Sequence, residues 1–253
     1  MELTRRGFLK VSGLATIALV ISPVSGKLWP MKLSQAATEA NVTSRWAMAV
    51  KTGACPDGCK ECIDACHRIH NVPDFGNPKD EIKWIWDVPF EAACPDHEHE
   101  FLKEDLKRLP VVVLCNHCDN PPCVKVCPTK ATFKREDGIV MMDYHRCIGC
   151  RYCMAACPYG SRSFNWRDPR PFIKDTDLDY PTRTRGVVEK CNFCEERLAQ
   201  GLVPACVEAC PEKALVFGDL EDPESEIRAL LRASYSIQRK PSLGSKPQIY
   251  YIV

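Results

Sequence analysis

The stretch Cys147-Ile148-Gly149-Cys150-Arg151-Tyr152-Cys153-Met154-Ala155-Ala156-Cys157-Pro158 sets four cysteines at the spacing C-x2-C-x2-C-x3-C, followed by a proline. Three further quartets of cysteines occur along the chain, two before this stretch and one after it. They are Cys55, Cys59, Cys62 and Cys66; Cys115, Cys118, Cys123 and Cys127; and Cys191, Cys194, Cys206 and Cys210. Of the 17 cysteines, only Cys94 falls outside a quartet. Such close grouping by fours indicates that the thiolates bind metal.

The spacing within these quartets favours iron-sulfur clusters of the cubane type, [4Fe-4S]. Three thiolates in a tight loop can bind three corners of one cubane, whereas the fourth cysteine lies on the next helix and is free to complete a second cubane. A disulfide framework would strain or scramble cysteines spaced this closely. Structural zinc takes two well-separated C-x2-4-C pairs, which the fourth quartet alone resembles. The sequence therefore predicts four [4Fe-4S] clusters.

Length, composition and charge limit the remaining function classes. The chain has 253 residues, 34 basic against 33 acidic side chains, a net charge of +1 and 45% apolar residues. This is enough material for one large or two small domains, and it excludes disorder, collagen and coiled coil. The balanced charge provides no strong positive field, so nucleic acid is not an expected partner. No catalytic triad, motif-borne acid and base pair, Gly-rich phosphate loop or flavin fingerprint is present, so no substrate active site is expected.

The N-terminus has the pattern of an export signal. Thr4-Arg5-Arg6-Gly7-Phe8-Leu9-Lys10 precedes a weakly apolar stretch from Val11 to Ile21. That stretch of about 11 residues is shorter than the roughly 20 residues that a transmembrane helix needs. The pattern resembles a twin-arginine signal, which we assign to residues 1–36, with cleavage and retention as a tether both open. The resemblance implies a protein that folds around its cofactor before export, and a location on the extracytoplasmic (periplasmic) face of the cytoplasmic membrane.

Local patterns around the quartets predict a repeated unit of strands and helices. Residues 111–114 are a β-branched run ending at Cys115, and Asp137-Gly138 has the composition of a hairpin turn between 131–134 and 139–142. The same order recurs at 187–189, ahead of Cys191, and a strand is expected at 214–217. The predicted fold is therefore α+β, with two nested bacterial-ferredoxin-like units whose short strands and helices surround the clusters.

The order of the quartets suggests how the two units divide the chain. The second and third quartets adjoin in sequence and are natural partners, so the first and fourth must pair around them. The first unit is expected at 48–110 and 185–220, with a long insertion at 71–110, and the second unit at 111–184. A helix that starts at Asp222-Pro223 and a strand at 248–253 are expected to form a C-terminal segment, 221–253.

From about residue 48 onward, the chain resembles the four-cluster ferredoxin subunits of membrane-associated oxidoreductases. The match extends through Val188-Glu189-Lys190-Cys191-Asn192-Phe193-Cys194, Pro204-Ala205-Cys206-Val207-Glu208-Ala209-Cys210-Pro211 and Phe217-Gly218-Asp219-Leu220. The resemblance implies that each cluster takes three cysteines from one quartet and one from the partner quartet. The implied sets are Cys55, Cys59 and Cys62 with Cys210; Cys191, Cys194 and Cys206 with Cys66; Cys115, Cys118 and Cys123 with Cys157; and Cys147, Cys150 and Cys153 with Cys127.

Within that family, the first quartet and the residues after it narrow the resemblance. Cys55-Pro56-Asp57-Gly58-Cys59-Lys60-Glu61-Cys62 and His67-Arg68-Ile69-His70-Asn71-Val72-Pro73 are most similar to the periplasmic iron-sulfur subunit of the membrane complex associated with dissimilatory sulfite reduction, the Dsr or Hme type. Cys55 and Cys59 are separated by three residues, one more than in the usual C-x2-C spacing. Cys94 is therefore an alternative ligand in place of Cys55, and a three-iron or missing first cluster is a further alternative.

The resemblance implies an electron-transfer subunit of a quinol-oxidising complex in sulfur metabolism. Its expected partners are an integral membrane quinone-reactive subunit and a multihaem c-type cytochrome or other redox subunit, through which it associates with the membrane. Two alternatives remain. One is the electron-transfer subunit of a molybdopterin reductase that acts on polysulfide or dimethyl sulfoxide. The other, from a different class of protein, is a zinc-stabilised scaffold module.

Four side chains outside the quartets have two interpretations each. His117 and His145 adjoin cluster cysteines, where hydrogen bonds to sulfur raise a reduction potential, and simple packing is an equal alternative. Trp84 and Trp86 alternate like strand residues. Their exposed faces could dock a partner, but core packing is the expected role.

Overall fold

Short strands and short helices alternate along the part of the chain that this computed structural model describes, residues 44–56 and 58–253. The strands are β1 (Trp46–Lys51), β2 (Ile85–Pro89), β3 (Pro110–Leu114), β4 (Thr132–Lys134), β5 (Val140–Met142), β6 (Ser163–Phe164), β7 (Val188–Glu189), β8 (Leu215–Asp219), β9 (Ser236–Ile237) and β10 (Ile249–Ile252). The helices are α1 (Glu61–Ile69), α2 (Phe90–Ala93), α3 (Glu104–Arg108), α4 (Pro122–Lys125), α5 (Tyr152–Ala155), α6 (Glu195–Leu198), α7 (Ala205–Glu208) and α8 (Glu226–Ala233). The α+β class predicted from the sequence is confirmed.

The predicted export signal, 1–36, lies outside the described residues. Within the described ranges, no helix combines the length and the apolar character needed to cross a membrane.

The largest sheet is built on β1, which lies between two strands from the C-terminal part of the chain. Its strand order is β8-β1-β10-β9. β1 pairs antiparallel with β8, with Met48 opposite Phe217, and parallel with β10, with Met48 opposite Ile249. Residues 47–50 of β1 are almost fully buried, which is why this strand is a continuous apolar run rather than an alternating one. α8 packs on the same sheet and buries Ile227.

Three two-stranded ribbons complete the strand content of the described residues. β2 pairs with β3, β4 with β5, and β6 with β7, all antiparallel. The β4–β5 hairpin confirms the turn predicted at Asp137-Gly138: Gly138 has φ +86°, a value that glycine adopts without a steric cost. The β6–β7 ribbon joins residues assigned above to different ferredoxin-like units, since Ser163 lies opposite Glu189.

Four of the five helices next to the cysteine quartets, α4 to α7, are only four residues long. α1 is the longest helix around a cysteine quartet, with Cys62 and Cys66 on its buried side. Its acidic residues are Glu61 and Asp64 in the first turn and its basic residues lie in the last turn, which favours the helix dipole at both ends. Because Cys62 and Cys66 are separated by about one helical turn, they lie on one face of α1.

A buried ion pair lies between β7 and the segment that precedes it. Arg183 Nη2 is 2.6 Å from Glu189 Oε2, and both side chains are at most 1% exposed. Trp84 Nε1 donates to the same carboxylate at 3.0 Å. Trp84 is itself fully buried and stacks on His70 with ring centroids 4.4 Å apart. Trp84 therefore packs in the core, as expected, and anchors a polar network there.

We expect the substitution Glu189→Gln to destabilise the chain strongly, because it leaves the Arg183 guanidinium buried without its counter-charge. Loss of one partner from a buried pair costs about 3–5 kcal/mol. The concentration of guanidinium chloride that half-unfolds the chain, measured without oxygen by far-ultraviolet circular dichroism, should fall clearly. The matched control is Glu208→Gln, which removes the partner of Arg197 from an equally short pair of 2.6 Å in which Glu208 is 62% exposed. An equal shift for both variants would contradict the assigned role of burial.

Candidate iron-sulfur sites

The structure gathers the quartet cysteines into four sets of four thiols, each with three cysteines from one quartet and one from another. We name them site A (Cys55, Cys59, Cys62, Cys210), site B (Cys66, Cys191, Cys194, Cys206), site C (Cys115, Cys118, Cys123, Cys157) and site D (Cys127, Cys147, Cys150, Cys153). All 17 cysteines, which lie in the described part of the chain, are free thiols. The disulfide alternative therefore finds no support in the geometry.

Sites A and D each line a small cavity. The cavity at site A is lined by Cys55, Cys59, Cys62 and Cys210 together with Asp87 and Leu215. The cavity at site D is lined by the four thiols of that site together with Met142 and Val188. Each set converges on one enclosed space bounded by thiols and mostly apolar groups, the environment in which thiolates bind a metal cluster rather than water.

At sites B and C, the thiols lie close enough to raise one another's pKa. Burial, and then the thiols of Cys191, Cys194 and Cys206, raise the pKa of Cys66 well above its usual range. Burial, and then Cys115, Cys123 and Cys157, raise the pKa of Cys118 to about 12. Four thiolates this close in a low dielectric repel one another. Bound iron would supply the positive charge that permits all four to ionise, so the donor sets fit a thiolate-bound cluster.

The backbone supplies hydrogen bonds to several of these sulfurs. The amide of Ala214 donates to Cys210 Sγ at 3.2 Å, and the amide of Phe193 donates to Cys191 Sγ at 3.4 Å. Burial opposes ionisation of Cys127, but hydrogen bonds from Thr129, Ala131 and Thr132 outweigh it and lower the pKa of this thiol. Such bonds stabilise a thiolate, and around a cluster they stabilise added negative charge.

The loops within the quartets turn through left-handed backbone conformations. Arg151 has φ +62°, and Phe193 and Cys194 have φ +59° and +52°. Gly149, with φ +68°, is the most restricted of these positions, because a Cβ atom placed there would lie 2.4 Å from the carbonyl oxygen of Gly186. The loop of site D therefore passes so close to the residues before β7 that a side chain at position 149 does not fit.

The four sites lie in the order A, B, C, D. Cys62 of site A and Cys66 of site B share helix α1, and Cys62 also acts on the ionisation of Cys206. Burial and then Cys115 of site C raise the pKa of Cys191 of site B to about 12. The thiol of Cys153 of site D is close enough to Cys123 of site C to be affected by its charge. Each site is thereby linked to the next in the row.

Exposure to solvent differs between the ends and the middle of this row. All four thiols of site B are buried, and site C has three buried thiols and one half-buried thiol. Site A has three half-buried thiols, and site D includes Cys150, the one exposed cysteine among the 17. Sites A and D are therefore the ends of the row that approach the surface.

Three residues outside the quartets, His117, His145 and Cys94, differ in their burial and contacts. His117 is fully buried, stacks on Phe193 at 3.7 Å and accepts a hydrogen bond from the Val140 amide, so it packs between sites rather than bonding to sulfur. His145 is exposed. Cys94 is buried but does not line the cavity at site A within the described ranges. Among its charged neighbours is Arg239.

Sequence reasoning missed two groups that do contact the sites. His70 Nδ1 lies 3.5 Å from Cys66 Sγ, and His70 Nε2 lies 2.9 Å from Glu196 Oε1. Arg162 Nη2 donates to Cys123 Sγ at 3.1 Å. No local pattern singles out either residue, because their contacts to sulfur arise from the tertiary fold.

Comparison with known proteins agrees with this geometry. The 4Fe-4S dicluster domain matches residues 109–171 and 177–220. The Hdr-like menaquinol oxidoreductase iron-sulfur subunit 1 of Archaeoglobus fulgidus is 39% identical, over 98% of this chain and 97% of that protein. The chain belongs to this family of iron-sulfur subunits. The resemblance drawn from its sequence is confirmed.

Two further relatives show the breadth of the family. The menaquinone reductase, iron-sulfur cluster-binding subunit, of Nitratidesulfovibrio vulgaris is 39% identical over 82% of this chain and 88% of that protein. The putative dimethyl sulfoxide reductase iron-sulfur protein of Halobacterium salinarum is 41% identical over 77% of this chain and 74% of that protein. As an iron-sulfur subunit of this family, the chain carries [4Fe-4S] clusters, for which its four thiol sets provide four places, and it transfers electrons within an oxidoreductase complex.

We expect Gly149→Ala to abolish cluster binding at site D while sparing the other sites, because the added methyl group meets the Gly186 carbonyl. The matched control is Gly160→Ala, whose φ of +64° imposes the same backbone strain, about 1–2 kcal/mol, but whose added Cβ meets nothing within 4 Å. Iron and acid-labile sulfide should fall by roughly a quarter in the first variant, one cluster of four, and stay unchanged in the second. Equal losses would show that backbone strain, not the close approach, governs the loop.

Proposed function

We propose that this chain relays electrons between an integral membrane quinone-reactive subunit and a multihaem c-type cytochrome, in a quinol-oxidising membrane complex. The observation that carries the proposal is the single row of four thiol sets, which runs from one partly exposed end to the other through a buried middle. The Archaeoglobus fulgidus and Nitratidesulfovibrio vulgaris relatives, whose names refer to menaquinol and menaquinone, support the quinone side. In this proposal the complex oxidises quinol and serves sulfur metabolism, as the resemblance to the Dsr or Hme type implies.

We further propose the four thiol sets as the cluster ligands, with three cysteines from one quartet and one from the partner at each site. A bound cubane takes up or releases one electron while its bonds to thiolate scarcely change, so no proton or substrate is required. The chain holds the four positions fixed, keeps the middle two dry and offers backbone N–H groups to the sulfurs. These sets correspond to the proposed division into two nested units, 48–110 with 185–220 and 111–184.

Site D is the end at which we place contact with a redox partner. Cys150 is exposed there, and its loop also carries the exposed apolar side chains of Ile148, 66% exposed, and Tyr152, 63% exposed. Trp166, 48% exposed, adjoins the same loop because the Arg151 guanidinium lies 4.7 Å from the centre of its ring. Exposed apolar groups around an exposed ligand suit a docking surface, which shortens the path for an electron and excludes water from it.

The twin-arginine pattern at residues 1–36 supports a location on the periplasmic face of the cytoplasmic membrane, with association through the partner subunits.

A second candidate function is that of the electron-transfer subunit of a molybdopterin reductase. It is favoured by the Halobacterium salinarum relative, whose name refers to a dimethyl sulfoxide reductase. The two proposals share the row of clusters and differ in what accepts or supplies the electrons.

We expect Cys55→Ser to damage the cluster at site A and Cys94→Ser to leave all four clusters intact. Cys55 lines the cavity of that site, whereas Cys94 lies in the apolar core. Iron and sulfide analysis of anaerobically purified protein, together with low-temperature electron paramagnetic resonance, should show a three-iron or missing cluster only in the first variant. The opposite result would make Cys94 the ligand. A folded parent protein containing only zinc would overturn the iron-sulfur assignment itself.

The relay is tested on the intact membrane complex. After rapid addition of menaquinol, the broad visible absorbance of the clusters should bleach before the haem bands of the cytochrome develop. We expect Ile148→Glu, in the surface at site D, to slow haem reduction about tenfold with unchanged iron content, since a tenfold effect corresponds to only about 1.4 kcal/mol of barrier. The control is Leu178→Glu, which alters a side chain that is 93% exposed outside that surface.

Three outcomes would contradict the proposal. Haem reduction while the clusters stay oxidised would remove the chain from the electron path. Equal slowing by both variants would remove the assigned docking surface. Purification with a molybdopterin subunit and no haem would favour the second candidate function.

A further inference from the structure

A buried arginine contacts a sulfur of site C. Arg162 is only 4% exposed to solvent. Its Nη2 donates to Cys123 Sγ at 3.1 Å and to Thr132 Oγ1 at 2.8 Å, and its Nη1 lies 3.8 Å from Met142 Sδ. Because a guanidinium stays protonated in proteins, this is a permanent positive charge. These contacts hold it beside Cys123 of site C, and its charge also acts on Cys153 of the neighbouring site D.

A second buried basic side chain lies near site C. Lys190 is 1% exposed, and its Nζ donates to the carbonyl oxygens of Val140 and, at 2.7 Å, Cys191. The residue adjoins Cys191 of site B, and its charge interacts with Cys115 and Cys123 of site C. Two buried basic side chains therefore act on the thiols of site C, Arg162 also on Cys153 of site D and Lys190 also on Cys191 of site B.

Neither cation has a carboxylate partner among residues 44–56 and 58–253; the salt bridges there involve other side chains. The contrast is Arg183, which is equally buried but is neutralised by Glu189 at 2.6 Å. An unpaired buried charge is strongly penalised unless something nearby compensates it. The groups beside Arg162 and Lys190 that become anionic when a cluster binds are the cysteines of the cluster sites.

The charge of a thiolate-bound cluster completes the pairing. A cubane core held by four thiolates carries a net charge of about −2 when oxidised and about −3 when reduced, and net charge is one of the properties that set its reduction potential. A nearby cation stabilises the more negative form, and it does so more strongly in a dry interior than at the surface.

We propose that Arg162, assisted by Lys190, raises the reduction potential of the cluster at site C, making it the first of the four to accept an electron. Both act as positioning charges on the cluster and not as ligands. In this step, one electron from the chain's reducing partner, which is oxidised by one electron, comes to rest on the cluster at site C before the other three clusters are reduced. No bond forms or breaks, and no proton moves. The inference rests on the ligand sets proposed above.

The experiment is a redox titration of the purified, cluster-loaded full chain, followed by low-temperature electron paramagnetic resonance. In Arg162→Gln, we expect the highest of the midpoint potentials to fall. At the ambient potential that half-reduces this cluster in the parent chain, the ratio of reduced to oxidised cluster should drop about tenfold, which equals 59 mV for a one-electron couple. Arg162→Lys, which keeps the charge, should restore most of the potential.

The matched control is Arg146→Gln, which removes the same charge from an exposed side chain next to Cys147. Its potentials should match those of the parent. Lys190→Met removes the second charge without removing a contact to sulfur and should shift the same midpoint in the same direction. This variant carries the test if Arg162→Gln fails to load four clusters.

The outcomes separate this inference from the proposed function. A chain with four clusters and unchanged potentials in both Arg162→Gln and Lys190→Met overturns the inference and leaves the relay intact. A fall in a midpoint other than the highest one overturns the assignment of site C as the first electron acceptor. Metal analysis that finds no cubanes in the parent chain overturns the proposed function instead.

Discussion

One electrostatic constraint governs this fold: each site gathers four thiol groups that repel one another once they ionise in a dry interior. Burial raises the pKa of Cys62, Cys118 and Cys191 to about 12, and neighbouring thiols add to the effect. Apolar packing alone cannot stabilise such an assembly of charge. The thiolate sets therefore require a positively charged inorganic core, and the surrounding chain is arranged to hold that core.

The secondary structure follows from this requirement. Loops with left-handed residues wrap three thiols of a set, and a short helix then carries the chain away, as at α5 after Arg151. With so many residues committed to loops, the strands outside the sheet around β1 form only two-stranded ribbons. Exchange of the fourth cysteine between quartets joins distant parts of the sequence, as Cys66 joins the fourth quartet and Cys210 the first. If these thiols bind clusters as proposed, the shared ligands stabilise contacts that a larger apolar core stabilises in other folds.

Local patterns in the sequence were sufficient for the four cysteine quartets, the hairpin at Asp137-Gly138 and the strands next to the quartets. Each of these is determined by residues close together in the chain. The parallel pairing of β1 with β10 joins Met48 to Ile249, and no periodicity within either strand indicates that partner. The same limit applies to Arg162 and to Arg183 with Glu189. Their burial and their partners depend on the packing of segments that are far apart in sequence. A single sequence contains no signal for that packing.

The row of sites uses two different means of stabilising negative charge. At site D, where Cys150 is exposed, backbone amides act on Cys127, and nearby water screens the field of any charge. At site C, water is largely excluded, so the field of Arg162 reaches the sulfurs with little screening. An interior site can hold a fixed charge whose effect is insensitive to salt, and this difference in screening supports the proposals of tuning at site C and of partner contact at site D.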